Sequence, residues 1–173
     1  MGLLAQITKA VVGSPIPSRR PEKKVEKVST GTTLENLNSE ATAHARAGRF
    51  GEAIRCYDQI LVLDPNQVRA WINKGNCLCN LRKYDEALGC YDLAIALQPK
   101  DPRFRTNKGI ALDRLGRSRE AIRCFTEAIE LDPGCIEAWK SRERTCQRLG
   151  MIAEARVCEK QVQALEQKAT IET

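Results

Sequence analysis

The chain has 173 residues, 42% hydrophobic and 29% charged, enough for one domain with a sizeable core and too few for two. With 5% aromatic residues it lacks the material of a β-sandwich or barrel, and it reads as a helical protein. Residues 1–33 hold six Lys/Arg against two Asp/Glu, so +4 of the net +6 belongs to them and +2 to the remainder, which excludes a strongly basic folded surface.

In chain order, the first stretch is MGLLAQITKAVVGSPIPSRRPEKKVEKVSTGTT, residues 1–33. Leu3, Leu4, Ile7 and Val11 stand at helical spacing, so residues 3–12 are expected to form a short amphipathic turn or three that needs a surface to lean on. Residues 14–31, rich in Pro, Ser and Lys, read as a flexible linker. Together they make 1–33 a flexible basic extension. Gln6 stands where an acylation signal wants Ser or Thr, and the start lacks the cationic flank of a secretory leader. No apolar run approaches the roughly 20 residues that a membrane-spanning helix needs. A reducing, cytoplasmic setting is the expectation.

From residue 34 onward the sequence repeats itself. Sliding it by 34 residues lays EAIRCYDQILVLDP (52–65) on EALGCYDLAIALQP (86–99) and on EAIRCFTEAIELDP (120–133), with a fading copy in EARVCEKQVQALEQ (154–167). Each copy is preceded by a second amphipathic stretch: LENLNSEATAHARAGRF, VRAWINKGNCLCNLRKY, PRFRTNKGIALDRLGRS and IEAWKSRERTCQRLGMI. Gly48, Gly116 and Gly150 mark the joints between halves, while the second unit must turn on residues 80–83 without a glycine. Pro65, Pro99 and Pro133 close the units, Asp101-Pro102 reads as an N-cap and first helical residue, and Thr32 with Glu35 has capping-box spacing. The predicted units are 34–67, 68–101, 102–135 and 136–168, with 169–173 a disordered end.

Cys56, Cys90, Cys124 and Cys158 hold one position of successive units. Equivalent atoms of stacked helical units lie on the order of 10 Å apart, too far for a disulfide or for ligands converging on zinc. Cysteine here is expected to act as a small buried hydrophobe. Cys77 and Cys79 on one helix point about 200° apart, which is no metal knuckle. No metal site and no cofactor are expected. His44 is the sole histidine and reads as a packing residue, and no P-loop, dinucleotide fingerprint or zinc-protease helix is present. The chain is therefore expected not to be an enzyme, with no catalytic residue.

These residues resemble the tetratricopeptide repeat family. The second unit matches best, through Trp71, Gly75, Leu78, Tyr84, Ala87, Tyr91, Ala94 and Pro99; the third has Arg105 in place of Trp, and the first has Ala41 in place of Gly. In the last unit Glu159 and Gln167 replace the aromatic residue and the proline, which suits a capping pair with a polar outer face. The resemblance implies an all-α, right-handed α-solenoid of about four helix-turn-helix units, acting as an adaptor or scaffold, co-chaperone-like, that holds an extended or helical peptide segment of another protein in a concave groove. It places groove positions at Asn38, Ser39, Thr42 and Arg46; at Arg69, Asn73, Asn76 and Asn80; at Arg103, Asn107 and Arg114; and at Lys140, Ser141, Arg144 and Arg148. Asn offers a donor and an acceptor to a peptide backbone, and Arg a forked donor to carboxylates. The Lys and Asn pattern by which some members clamp a C-terminal carboxylate fits poorly. Two alternatives stay open: nucleic-acid or polyanion binding by the basic tail and Arg-bearing groove, which the +2 of the remainder disfavours, and peripheral membrane attachment through residues 3–12.

Overall fold

The computed structural model describes residues 34–171, so the readings of residues 1–33, including the Thr32 cap, lie outside the described residues. Among the described residues eight helices follow one another: α1 (Leu34–Arg46), α2 (Phe50–Leu63), α3 (Val68–Asn80), α4 (Tyr84–Leu97), α5 (Pro102–Arg114), α6 (Ser118–Leu131), α7 (Ile136–Arg148) and α8 (Ile152–Ile171). They form four helix-turn-helix pairs, and each pair stacks on the next.

The turns within pairs share one construction. Gly48, Gly116 and Gly150 have φ of 72°, 79° and 72°, and Arg82 takes the same left-handed role at 60°. In every case the following residue donates its N–H to a carbonyl five residues back, Arg49 to His44, Lys83 to Leu78, Arg117 to Leu112 and Met151 to Cys146, each at 2.9 Å. This closes the helix end and satisfies a carbonyl that would otherwise be orphaned. Between pairs, Asp101 caps α5 by accepting from the Arg103 N–H at 3.0 Å, with Pro102 in the first turn.

Packing within a pair rests on one aromatic ring. Tyr57, Tyr91 and Phe125 are the largest fully buried side chains, and the Tyr91 and Phe125 rings lie flush on Gly75 and Gly109 of the preceding helix. A Cβ there would sit 2.6 Å from Tyr91 Cε1 or 2.5 Å from Phe125 Cε1, so those two glycines are required by space. The equivalent alanines Ala53, Ala87, Ala121 and Ala155 are buried, as are Cys56, Cys90, Cys124 and Cys158. Burial, the leading cause in each case, pushes these four thiols up.

The Trp position is held by a hydrogen bond as well as by packing. Trp71 Nε1 donates to Pro65 O at 2.8 Å and Trp139 Nε1 to Pro133 O at 3.0 Å. Arg105 makes the same bond to Pro99 O, so in the third unit its guanidinium replaces the indole N–H. The last helix differs from the others. Glu159 is exposed where the other pairs bury a ring. α8 also continues to Ile171, which corrects the assignment of 169–171 to a disordered end; Lys140 Nζ reaches Glu166 Oε1 at 2.7 Å and Thr170 Oγ1 donates to Glu166 O at 2.9 Å.

Candidate functional site: the groove between the first helices

Among the helices described, α3 contacts α5 and α5 contacts α7 across pairs, whereas the second helices pack chiefly on their neighbours in the chain. The first helices therefore line the inner face. A groove of ≈ 930 Å³ opens there. Its walls are Val68, Arg69, Ile72, Asn73 and Asn76 from α3, Phe104, Thr106 and Asn107 from α5 with Arg103 at its start, Glu137 from α7, and Asn66, Gln67, Gln98 and Cys135 from the connections between pairs.

Six of the lining side chains are amides, and Asn76 and Asn107 are held in place. Tyr91 Oη, itself 3.4 Å from Cys79 Sγ, donates to Asn76 Oδ1 at 2.8 Å, and Asn107 Nδ2 donates to the same oxygen at 3.3 Å. A bond from pair two to pair three thus runs across the groove floor. Burial, the leading cause, pushes the Tyr91 phenol up, so it remains a hydroxyl able to donate. One unit earlier, burial likewise raises Tyr57, while interactions with the Thr42 and Asn73 side chains pull the other way. Thr42 and Asn73 are the counterparts of Asn76 and Asn107, so the same positions act on the hydroxyl in both units. The third ring is Phe125, which has no hydroxyl to continue it.

Charge is sparse and largely balanced. Arg103 is tied to Asp101, Nη2 to Oδ2 at 2.6 Å and Nε to Oδ1 at 3.0 Å, and that hydrogen bonding holds the Asp101 carboxyl below its usual range. Glu137 brings a negative charge to the opposite wall, and Arg69 is exposed. The groove is polar and nearly neutral, with Ile72, Val68 and Phe104 as apolar ground between the amides.

Of the positions expected from the sequence, Arg69, Asn73, Asn76, Arg103 and Asn107 come together in this groove. The others lie elsewhere. Asn38 Nδ2 donates to Leu34 O and Thr42 Oγ1 to Asn38 O, both at 2.8 Å, so these α1 side chains bond within their own helix. Asn80 donates to Asn76 O at 2.9 Å at the exposed end of α3, and Arg114 is exposed at the end of α5. Lys140 pairs with Glu166, Arg144 lies 3.7 Å from Glu137 Oε1, Arg148 bonds Asp113 and Ser118, and Ser141 is buried. Ser39 and Arg46 are exposed on α1. Sequence reasoning missed Gln67, Gln98 and Cys135, which precede the first helices, and Glu137; their shared place just before or at a helix start was the available signal. No helix among the described residues is long and apolar enough to cross a membrane.

Comparison with known proteins agrees with this architecture. Two family models described as tetratricopeptide repeat match residues 38–102 and 75–156. No curated protein sequence matches the chain significantly. Among solved structures, it is similar to the crystal structure of MamA, at 23% identity and a TM-score of 0.75, covering 80% of this chain and 81% of that one. It is similar to residues 41 to the end of MamA from Desulfovibrio magneticus RS-1, at 26% identity and a TM-score of 0.73 over 79% and 77% of the two chains. The first such repeat domain of Spaghetti (RPAP3), bound to the HSP90 peptide SRMEEVD, is 25% identical with a TM-score of 0.64, over 68% of this chain and 93% of that one. Repeat period, helix pairs, glycine-seated rings and family models agree: the chain belongs to the tetratricopeptide repeat family.

Proposed function

We propose that this protein is a non-enzymatic interaction module that holds an extended peptide segment of a partner protein in the groove between α3, α5 and α7. The observation that carries the reading is the convergence of six side-chain amides, Asn66, Gln67, Asn73, Asn76, Gln98 and Asn107, on one inner groove. An amide can donate and accept at once, so such a lining pairs with a peptide main chain whatever its side chains are. The domain of Spaghetti solved with an HSP90 peptide supports peptide capture by a stack of this shape. An acidic tail is a poorer fit here, because Arg103 is committed to Asp101 and Glu137 faces the groove. The low charge also argues against nucleic acid, which is gripped through phosphate-neutralising cations.

The test is selection of peptides from an unbiased displayed library on the full chain, followed by titration of a selected peptide. Asn73→Ala with Asn107→Ala removes two amide contacts worth roughly 0.5–1.5 kcal/mol each and is expected to weaken binding about five- to a hundredfold. If the double variant keeps full affinity while charge reversal on the outer faces of α4 and α6 abolishes it, the groove reading is wrong.

A further inference from the structure

A second cluster lies away from the groove, between α1 and α2, and does not depend on the peptide reading. Glu40 and His44 stand one turn apart on α1, which puts both on the same helix face. Cys56 of α2 meets them there. A carboxylate oxygen of Glu40, a ring nitrogen of His44 and Cys56 Sγ all lie within 4.8 Å of one another, the one such grouping of three His, Cys, Asp or Glu side chains among the described residues. His44 Nε2 is 3.6 Å from Glu40 Oε1. Two ligands of a tetrahedral zinc ion, each about 2.0 Å from it, stand roughly 3.3 Å apart, so this pair needs to close by only a few tenths of an ångström.

The cluster is particular to the first unit. Cys56 recurs in every unit, but the positions equivalent to His44 are Leu78, Leu112 and Cys146, and those equivalent to Glu40 are Lys74, Lys108 and Arg142. At the first pair alone, a nitrogen and an oxygen donor stand beside the recurring thiol, in place of an aliphatic or thiol side chain and a cation. We propose that Glu40, His44 and Cys56 form a binding site for a divalent transition ion of the zinc class, clipping α1 to α2. A thiolate and an imidazole select zinc-like ions over magnesium or calcium, and three protein ligands leave a fourth position to water. The clip acts at one end of the stack: α1 packs chiefly on α2, whereas α3, α5 and α7 each pack on helices of at least two pairs.

Arg49 provides an internal check. Its Nε donates to His44 Nδ1 at 2.9 Å, so Nδ1 is the acceptor and the ring proton sits on Nε2, facing Glu40. When Nε2 takes the ion, that proton moves to Nδ1 and the Cys56 thiol proton leaves to solvent. The Arg49 bond is then lost, and the exposed arginine turns into water. Arg49 therefore competes with the metal.

Cobalt(II), a spectroscopic stand-in for zinc, tests the site when added to the reduced full-length chain. About one equivalent is expected to give a thiolate-to-cobalt charge-transfer band with the strong visible bands of a tetrahedral ion, displaced by zinc(II). Cys56→Ala is expected to abolish the charge-transfer band and Glu40→Gln to weaken binding about tenfold or more. Arg49→Ala is expected to tighten it by about two- to tenfold, the equivalent of one hydrogen bond. Glu40 and Arg49 are exposed, so their variants carry the test even if Cys56→Ala fails to fold. No thiolate band, a band that survives in folded Cys56→Ala, or unchanged affinity in Glu40→Gln overturns the assignment.

Discussion

Replacing Thr126 with Asp is expected to stabilise the stack. Asp58 of α2 binds Lys74 of α3, Oδ1 to Nζ at 2.6 Å, and one unit later Asp92 of α4 binds Lys108 of α5 at 2.7 Å. The next pair of positions holds Thr126 and Arg142. Thr126 Oγ1 donates to Ile122 O at 2.9 Å in its own helix, and Arg142 Nε is buried with no partner. The third interface therefore keeps the cation of a repeated ion pair and has lost the carboxylate. An ion pair of partial exposure contributes up to about 1 kcal/mol, and relieving an unsatisfied buried donor adds part of a penalty of roughly 1–3 kcal/mol. Against this stands the lost threonine methyl, about 0.8 kcal/mol, while helix propensities of Thr and Asp are nearly equal. The net expectation is a gain of about 0.5–2 kcal/mol, or roughly 2–6 °C in thermal midpoint for a chain of this size. Urea unfolding followed by circular dichroism measures it. A double-mutant cycle with Arg142→Met isolates the pair, since the gain should vanish when the guanidinium is removed. If Thr126→Asp destabilises the chain, or stabilises it equally without Arg142, then the ion-pair ladder does not hold the units together and the reasoning fails.

The same denaturation assay checks two further expectations. Gly109→Ala places a Cβ 2.5 Å from Phe125 Cε1 and should destabilise by about 1–3 kcal/mol, while Gly89→Ala, with nothing within 4 Å of its Cβ, should gain about 0.5–1 kcal/mol. Shifts of the same sign would show that the ring does not rest on Gly109. Asp101→Ala removes the α5 cap and should cost about 1 kcal/mol at neutral pH. Because Arg103 depresses the Asp101 carboxyl, that contribution is present above the ordinary carboxylate pKa of about 4 and is lost as pH falls through the depressed value; the gap between wild type and variant should close in acid.

What the sequence conveyed was whatever recurs every 34 residues. The period places Gly48, Gly116 and Gly150 in left-handed turns, Ala87 and Ala121 at helix contacts, and the four cysteines at one buried position of each unit. Arg105 looked like a departure because residue type was compared where the function is a hydrogen bond, which guanidinium and indole both make. Contacts between non-equivalent positions were not legible. The argument that a ladder of thiols cannot converge holds for Cys56 against Cys90, yet it says nothing about Cys56 against His44, which approach across one pair. In the same way, Asn76 could be placed on the inner face, but its bond to Asn107 depends on how far one pair is turned against the next, a quantity that no periodicity encodes. The end of α8 was lost for a further reason: Gln167 replaces the proline that signals a stop in other units, and the helix runs on.

The Asn76 oxygen sets a direction on the groove. Its two lone pairs are taken by Tyr91 and Asn107, so toward a ligand Asn76 has only its N–H donors to offer, and it would meet a peptide carbonyl. Asn107 has spent one N–H on Asn76 and keeps an oxygen and a second N–H, so it can still pair with both sides of a peptide unit. These two side chains are already ordered, and a ligand that binds them meets less of the entropic cost of fixing side chains. The arrangement stops at the third ring, because Phe125 has no hydroxyl and the position equivalent to Asn73 and Asn107 is the buried Ser141. On the proposed peptide reading, amide recognition would therefore be concentrated on pairs two and three, one step of roughly 10 Å. An extended chain covers that in about three residues. A short stretch of backbone held at its carbonyls gives little discrimination by itself, so on the proposed peptide reading selectivity among partners would come from partner side chains that reach Arg69, Glu137 and the apolar ground of Ile72 and Phe104 on either side.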